Sequence, residues 1–346
     1  MKGTTSNLTI EVVNSIHDVN VDAWDALSTD IPFQSHRWYA FGEQVMNDCQ
    51  PFYVLAYQGS ELVGRAALWR VRNEPLPKMP ALLRRSLLAL FRIWPLLICR
   101  SPLAFTQGIV LAKEIDPKPV VSALAASALK IAKEHSCSIV LFDYLGAEFS
   151  QYIPDPFLQS SNPSTGTVME NRWSTLEDYL ADGNKKDRQH YTRTIRESEK
   201  LNICIERHTH VQNVEDALRL IRVVEQHHGA LPNPWARRAL ENMEMVNGLY
   251  LTATIEQTLV GCGLLLEDNG SQTTSLLGLA DDVPYAYFRL VYESLSAAFE
   301  HKVRVLRWGS GAYEVKERLG FTREDNGAMA FCAVNPVLQS LFQRLI

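Results

Sequence analysis

The sequence has no cysteine pair at CxxC spacing, no net positive charge and no apolar run long and clean enough to span a bilayer. Each absence excludes a class. Six scattered cysteines (Cys49, Cys99, Cys137, Cys204, Cys262, Cys332) without a CxxC pair give no zinc-ligand set or disulfide framework. Most sit in apolar runs, so buried free thiols in a reducing compartment are expected. A net charge of -5 argues against duplex binding over the whole surface, and no DNA partner is expected. Met1 to Thr9 lacks an apolar h-region, so no signal peptide is expected and the cytoplasm is the expected location. Disorder is excluded as well, because 46% of the residues are apolar and 21% charged. The 346 residues suffice for two domains of ordinary size.

Residues 78–100, KMPALLRRSLLALFRIWPLLICR, combine leucines and aromatics with Lys78, Arg84, Arg85, Arg92 and Arg100. Arg92 and Pro95 interrupt the run before it reaches the ~20 apolar residues of a spanning helix. Such a stretch either packs on its own domain or lies in a membrane interface, where its arginines meet anionic headgroups at the inner membrane surface.

What is present is clearest in the last quarter. Ser271 to Leu279 reads as a short strand. Asp281, Asp282 and Pro284 are expected to open a helix, with acids at its positive end and proline in its first turn. Phe288, Val291, Tyr292, Leu295, Ala298 and Phe299 then recur on one helical face. Val303 to Arg307 is the next strand, Trp308-Gly309-Ser310-Gly311 breaks it, and Ala312 to Leu319 is a short helix ended by Gly320. Ala328 to Val334 is expected to close this unit as a strand.

The first half reads as Leu8–Val13 strand, Asp22–Leu27 helix, a helix from His36 to Met46, and strands 51–57 and 62–71 joined at Gln58-Gly59-Ser60. A strand at 106–111, a helix at 120–134 and a strand at 138–143 follow. Residues 151–166, with three prolines and Gly166 among serines, read as a linker. Beyond it, Ser174 and Glu177 have capping-box spacing before a helix ended by Gly183. Helices at 185–200, from 211 to about 228 and at 234–247 precede strands 249–255 and 259–266. The halves share one plan, an internal repeat with poor residue-level similarity.

Three passages carry a family resemblance. PFQSHRWYAFGE (32–43), NKKDRQHYTRTIRESEKLNICI (184–205) and YFRLVYESLSAAFEHKVRVLRWGSGAYEVKERLGF (287–321) resemble the GNAT acyltransferase superfamily in its double-domain version. FemAB-like aminoacyl transferases and CelD-type acetyltransferases linked to polysaccharide synthesis are the similar groups. The resemblance implies an α/β (α+β) fold of two tandem GNAT-like domains, 1–160 and 167–346, each a mixed, mostly antiparallel sheet flanked by helices. The basic leucine-rich excursion at 72–105 belongs to the first. It also implies N-acyl or aminoacyl transfer with an acyl-CoA or aminoacyl-tRNA donor, tRNA then being a partner. The usual glycine-bearing pyrophosphate loop is absent. Ala280-Asp281-Asp282-Val283-Pro284-Tyr285-Ala286 has no glycine, and its two carboxylates repel phosphate.

Transfer of an acyl group to an amine needs positioning, a base and donors for the oxyanion. Lys316, whose position resembles the lysine of the Fem signature, follows the glycine break and is a candidate for phosphate or oxyanion; a solvated helix lysine explains it equally simply. Tyr313 is a candidate for orienting the acceptor, and Gly309, Ser310, Tyr285 and Tyr287 for binding around the break and the helix start. Glu225 and His228, with His227, form a second cluster with a base of near-neutral titration, or a plain helix carboxyl end. Lys185, Arg188, Thr192 and Arg196 share one helix face, suited to phosphates or simply solvated. His36 and Arg37 border the acceptor cleft by resemblance, or sit in a helix capped by Ser35. The groove is expected between the domains, and no metal is implied. The expected activity is amide formation on a small-molecule or lipid-linked amine of cell-envelope, polysaccharide or secondary-metabolite type. The rivals are a CoA-dependent N-acetyltransferase on an amino sugar and a non-catalytic GNAT-fold protein binding at a membrane surface.

Overall fold

The computed structural model describes residues 8–75, 81–161 and 165–345. Met1–Asn7, part of the basic segment (76–80) and part of the 151–166 stretch (162–164) lie outside the described residues. The chain forms two compact units, one drawn from Met1–Glu74, Met79–Thr165 and Asp325–Ile346, the other essentially Gly166–Glu324.

The first unit begins with β1 (Leu8–Val13), α1 (Val21–Ser28), α2 (His36–Val45), β2 (Gln50–Gln58) and β3 (Glu61–Val71). Then come α3 (Ala81–Ile93), β4 (Leu96–Cys99), β5 (Ile109–Leu111), α4 (Pro117–Glu134), β6 (Ile139–Leu145), α5 (Ala147–Ser150) and β7 (Leu158–Ser161). The second unit runs β8 (Thr167–Glu170), α6 (Leu176–Asp182), α7 (Lys185–Lys200), β9 (Cys204–His208), α8 (Val214–His227), α9 (Ala236–Glu241), β10 (Leu249–Ile255), β11 (Thr258–Asp268) and β12 (Ser271–Leu279). It ends with α10 (Ala286–Glu300), β13 (Val305–Trp308), α11 (Tyr313–Arg318) and β14 (Thr322–Arg323). β15 (Ala328–Ala333) and α12 (Pro336–Leu345) return to the first unit.

Most elements lie where periodicity and turn residues place them. Four differ for local reasons. Asp282 and Tyr285 have φ of 61° and 69°, so α10 starts only at Ala286 and the two aspartates and Pro284 precede it in a turn. The capping box before α6 is Thr175 with Asp178, one residue beyond the Ser174–Glu177 spacing. The helix expected over 234–247 divides into α9 and a 3-10 turn, Met243–Val246. The proline- and serine-rich 151–166 stretch is not only linker, because Leu158–Ser161 is a strand.

The larger correction concerns Ala328–Val334. Instead of closing the second unit, β15 pairs antiparallel with β6 and β7 in the first sheet, whose order is β1-β2-β3-β4-β6-β15-β7 with β5 on β3. Ala330 and Cys332 there join the core of Phe52, Leu68, Val140 and Phe142. The apolar run of β15 matches either sheet by pattern alone, and pairing partners are not written in a strand's own periodicity. The first unit therefore departs from the 1–160 boundary by taking in 325–345.

The second sheet runs β14-β8-β13-β12-β11-β10-β9. Most neighbours are antiparallel, but β12 and β13 run parallel, which requires a crossover, and α10 supplies it. Buried residues of α10 contribute to two apolar clusters of this unit, one with Leu306, Trp308 and Phe321 and one with Leu251 and Leu265. α8 packs against β11 and β12: a Cβ on Gly278 would lie 2.8 Å from Leu220 Cβ and 2.9 Å from Ile221 N. Five of the six cysteines are buried, and Cys204 is exposed. Among the described residues no helix is long and apolar enough to cross a membrane.

Candidate functional site

The parallel pair in the second sheet is short. Thr274 pairs with Trp308, the last residue of β13, while β12 continues to Leu279. Past Thr274 the two strands part and leave a notch at the carboxyl end of β12. Open α/β sheets place ligands at such points, outside the carboxyl ends of parallel strands. The register between β11 and β12 slips here: Leu265 faces Thr274 but Leu264 faces Leu276, so Ser275 has no partner in that ladder. A bulge redirects the backbone locally, and this one lies at the mouth of the notch.

The turn after β13 frames the opposite edge. Gly311 has φ of 104°, a value that glycine adopts without strain, and Ala312 (φ 46°) is the left-handed residue just before α11. This sharp turn folds Lys316 back over Gly309, whose carbonyl accepts a hydrogen bond from its Nζ. Lys316 is only 8% exposed. Burial lowers its pKa from the ordinary 10.5 to about 8. Trp308 is fixed by stacking on Phe321, with centroids 4.3 Å apart.

Two spaces meet at Lys316. A cavity of about 160 Å³ lies between α10 and strands β10 to β13, walled by Leu251, Leu265, Leu276, Leu290 and Val291 among others. A groove of about 690 Å³ is lined by the end of α8 (Val223, Val224, His227, His228), Leu279 to Asp282, and Ser310 to Ala312. Leu277, Tyr287 and Lys316 line both. Burial also raises the pKa of the Tyr287 phenol, which stays a neutral hydroxyl.

Of the candidate residues, this arrangement gathers Lys316, Gly309, Ser310, Tyr287 and His228. It does not gather the others. Glu225 holds Arg222 at 2.5 Å and accepts from the Asn233 backbone N–H at 2.8 Å, which fastens the loop after α8. Tyr313 packs under the Arg323 guanidinium, 4.2 Å from its ring centre. Tyr285 is the left-handed residue before α10. Arg188 donates to the Gly183 carbonyl at 2.5 Å, capping α6, and Arg196 pairs with Glu197. Both line a shallow groove along α7 with Lys185 and Arg193. In the first unit, Arg37 is exposed on α2, while the His36 ring bonds the Ile16 carbonyl at 2.8 Å.

Sequence reasoning misses Thr274, Ser294 and Gly263, which line the cavity. Small residues inside apolar runs give no periodic signal. The bulge at Ser275 is likewise silent in sequence.

The first sheet has a comparable parallel pair, β4 with β6. β3 pairs with β4 at one end and β5 at the other, and the segment between them loops out from an Arg100–Gln107 bridge. Gln34 Nε2 donates to the Gln107 carbonyl at 2.7 Å, Trp38 Nε1 to Pro102 at 2.9 Å and Ser101 Oγ to Phe33 at 2.5 Å. Arg100 is clamped by Glu74 at 2.6 and 2.9 Å.

Solved structures share this topology. A tandem GNAT protein from the clavulanic acid biosynthesis pathway superposes with a TM-score of 0.58 at 12% identity, over 95% of this chain and 99% of that one. FemX gives 0.60 at 12% identity, over 92% and 96%. The C-terminal domain of a putative lysylphosphatidylglycerol synthetase from Agrobacterium fabrum gives 0.55 at 10% identity, over 95% and 96%. The fold is the tandem GNAT fold. No protein-family profile and no curated protein sequence matches the chain. Within the GNAT fold, the notch, the bulge and Lys316 all belong to the second unit.

Proposed function

We propose that this chain is an acyltransferase that forms an amide on an amine-bearing precursor, and that the second unit performs the chemistry. The observation that carries the proposal is the buried Lys316 at the divergence of β12 and β13, facing both an apolar cavity and an open groove. An acyl group in the cavity would present its carbonyl at the notch. The acceptor amine would approach along the groove past His228. Attack forms the C–N bond and places negative charge on the carbonyl oxygen. Lys316, as ammonium, lies at the mouth where that charge develops. On collapse the C–S or C–O bond to the donor breaks. His228 takes the proton lost by the attacking nitrogen, and Lys316 gives one to the departing thiolate or alkoxide.

The donor is a thioester or an ester, acyl-CoA or aminoacyl-tRNA. Asp281 and Asp282 line the groove just before α10, where a pyrophosphate would otherwise meet helix N–H groups, and this favours a donor other than CoA bound in that manner. The test supplies the purified chain with acetyl-CoA, longer acyl-CoAs or charged tRNA, together with amino sugars and lipid-linked amines, and follows products by mass spectrometry. Amide product that falls at least about a hundredfold with Lys316→Ala supports the proposal. Undiminished turnover by that variant removes the lysine from the mechanism.

A second proposal is that the acceptor is met at a lipid surface. α3 and the residue after it expose Leu82 (80%), Ile93 (65%) and Trp94 (50%) on a segment that also carries Arg84, Arg85 and Arg92. Similarity to a putative lysylphosphatidylglycerol synthetase domain supports a lipid-linked substrate. Sedimentation with vesicles of phosphatidylglycerol should be lost on Trp94→Ser with Ile93→Ser; unchanged sedimentation, or none for the parent chain, removes the idea.

A further inference from the structure

The cavity beside Lys316 carries more information than its position. Its walls are mostly apolar: Leu251, Leu265, Leu276, Leu277, Leu290 and Val291 outnumber the small hydroxyls of Thr274, Ser275 and Ser294. Among the described residues Lys316 is the one charged side chain that lines it, so the matching part of a ligand is uncharged and largely apolar.

Gly263 adds an independent observation. It lies within β11, without positive φ, and a Cβ built on it would meet nothing within 4 Å. Neither a turn nor a close backbone approach calls for glycine there. Its effect is to keep the cavity wide, since Gly263 is one of the lining residues. By contrast Gly261, two residues earlier, has Leu290 at 3.1 Å from the same construction.

We infer that the cavity binds the acyl portion of the substrate and that this group is larger than acetyl: an uncharged, largely apolar chain. Its size follows from the volume. The cavity measures about 160 Å³, and an apolar protein cavity of about 150 Å³ accepts benzene, so about six non-hydrogen atoms fit. A two-carbon group would leave most of the space empty. The inference rests on the acyl-transfer proposal above for the role of the bound group, but not for its binding.

The two are tested by separate readouts. Pentanamide, which has a carbonyl acceptor on a short chain, is titrated into the ¹⁵N-labelled chain. The Trp308 indole N–H resonance, assigned with Trp308→Phe, should move with saturation, while acetamide at equal concentration leaves it in place. Gly263→Ala should weaken pentanamide at least about threefold and Gly263→Val should abolish the shift. No movement of the indole signal, or equal movement in Gly263→Val with a native spectrum, overturns the pocket. In the transfer assay, pentanoyl donors should outrun acetyl donors with the parent chain and lose that advantage in Gly263→Ala. Saturable pentanamide binding with no transfer from any donor would overturn the acyl-transfer role and leave the site as a pocket for such chains.

Discussion

Lys316 offers the sharpest physical test, because its environment sets a sign as well as a size. A lysine whose pKa falls from 10.5 to about 8 on folding is disfavoured as an ammonium in the native state. A tenfold change in a proton-binding constant corresponds to about 1.4 kcal/mol, so the charged side chain costs about 3 kcal/mol wherever both states are protonated, that is, below pH 8. Between about pH 8 and 10.5 the unfolded chain holds a proton that the folded chain has released, and stability rises with pH through that window. Lys316→Met keeps the length of the side chain and removes the charge. It should therefore be more stable than the parent at pH 7 by up to about 3 kcal/mol, a difference that shrinks from pH 8 and is gone above 10.5. The hydrogen bond lost to the half-exposed Gly309 carbonyl subtracts about 1 kcal/mol or less, since water can replace the donor. Urea unfolding of the full chain, followed by tryptophan fluorescence between pH 6.5 and 10, measures the gap, with equal m-values as the control. A variant less stable than the parent at pH 7, or a gap independent of pH, would refute the placement of a costly ammonium at the notch.

Three further outcomes are expected. Removing 325–346 should deprive β6 of its antiparallel neighbour and abolish the cooperative unfolding of the first unit; an unchanged midpoint in circular dichroism would contradict the observed pairing. Glu225→Ala should cost about 1–3 kcal/mol through the Asn233 N–H and Arg222 it releases, and should speed proteolysis at 229–233. A hundredfold activity loss with unaltered stability would instead restore Glu225 as a candidate base. Gly278→Ala should destabilise by about 1–3 kcal/mol, since its Cβ would sit 2.7 Å from Cys262 Sγ and under 3 Å from α8; a neutral result in the same urea assay would count against that close approach.

Local structure is legible wherever one residue type dictates one conformation. The apolar stripe of α10 and the glycine break after Trp308 place a strand, a turn and a short helix in order, and this order puts Lys316 beside Gly309. What the sequence does not show is set by partners distant along the chain. β15 has the same alternating apolar character whichever sheet receives it. The loop at 100–108 looks like any turn, and its ties to Gln34 and Trp38, 73 and 64 residues away from their partners, have no local signal. Glu225 reads as a base beside two histidines because nothing local reveals that Asn233 and Arg222 occupy both of its oxygens. The start of α10 falls later than expected although aspartate and proline favour helix beginnings in general. The left-handed φ of Tyr285 defers the first turn.

The return of β15 has a consequence for biosynthesis. β6 leaves the ribosome with β4 available on one side and its other edge open, because the partner for that edge is encoded roughly 180 residues downstream, about 10–40 s later at ordinary elongation rates. During that interval an apolar strand edge bearing Val140 and Phe142 waits unpaired while the whole intervening unit is made. The nascent chain should be most open to chaperone capture and to intermolecular strand pairing in that window, and translation slowed between codons 146 and 327 should lower the soluble yield.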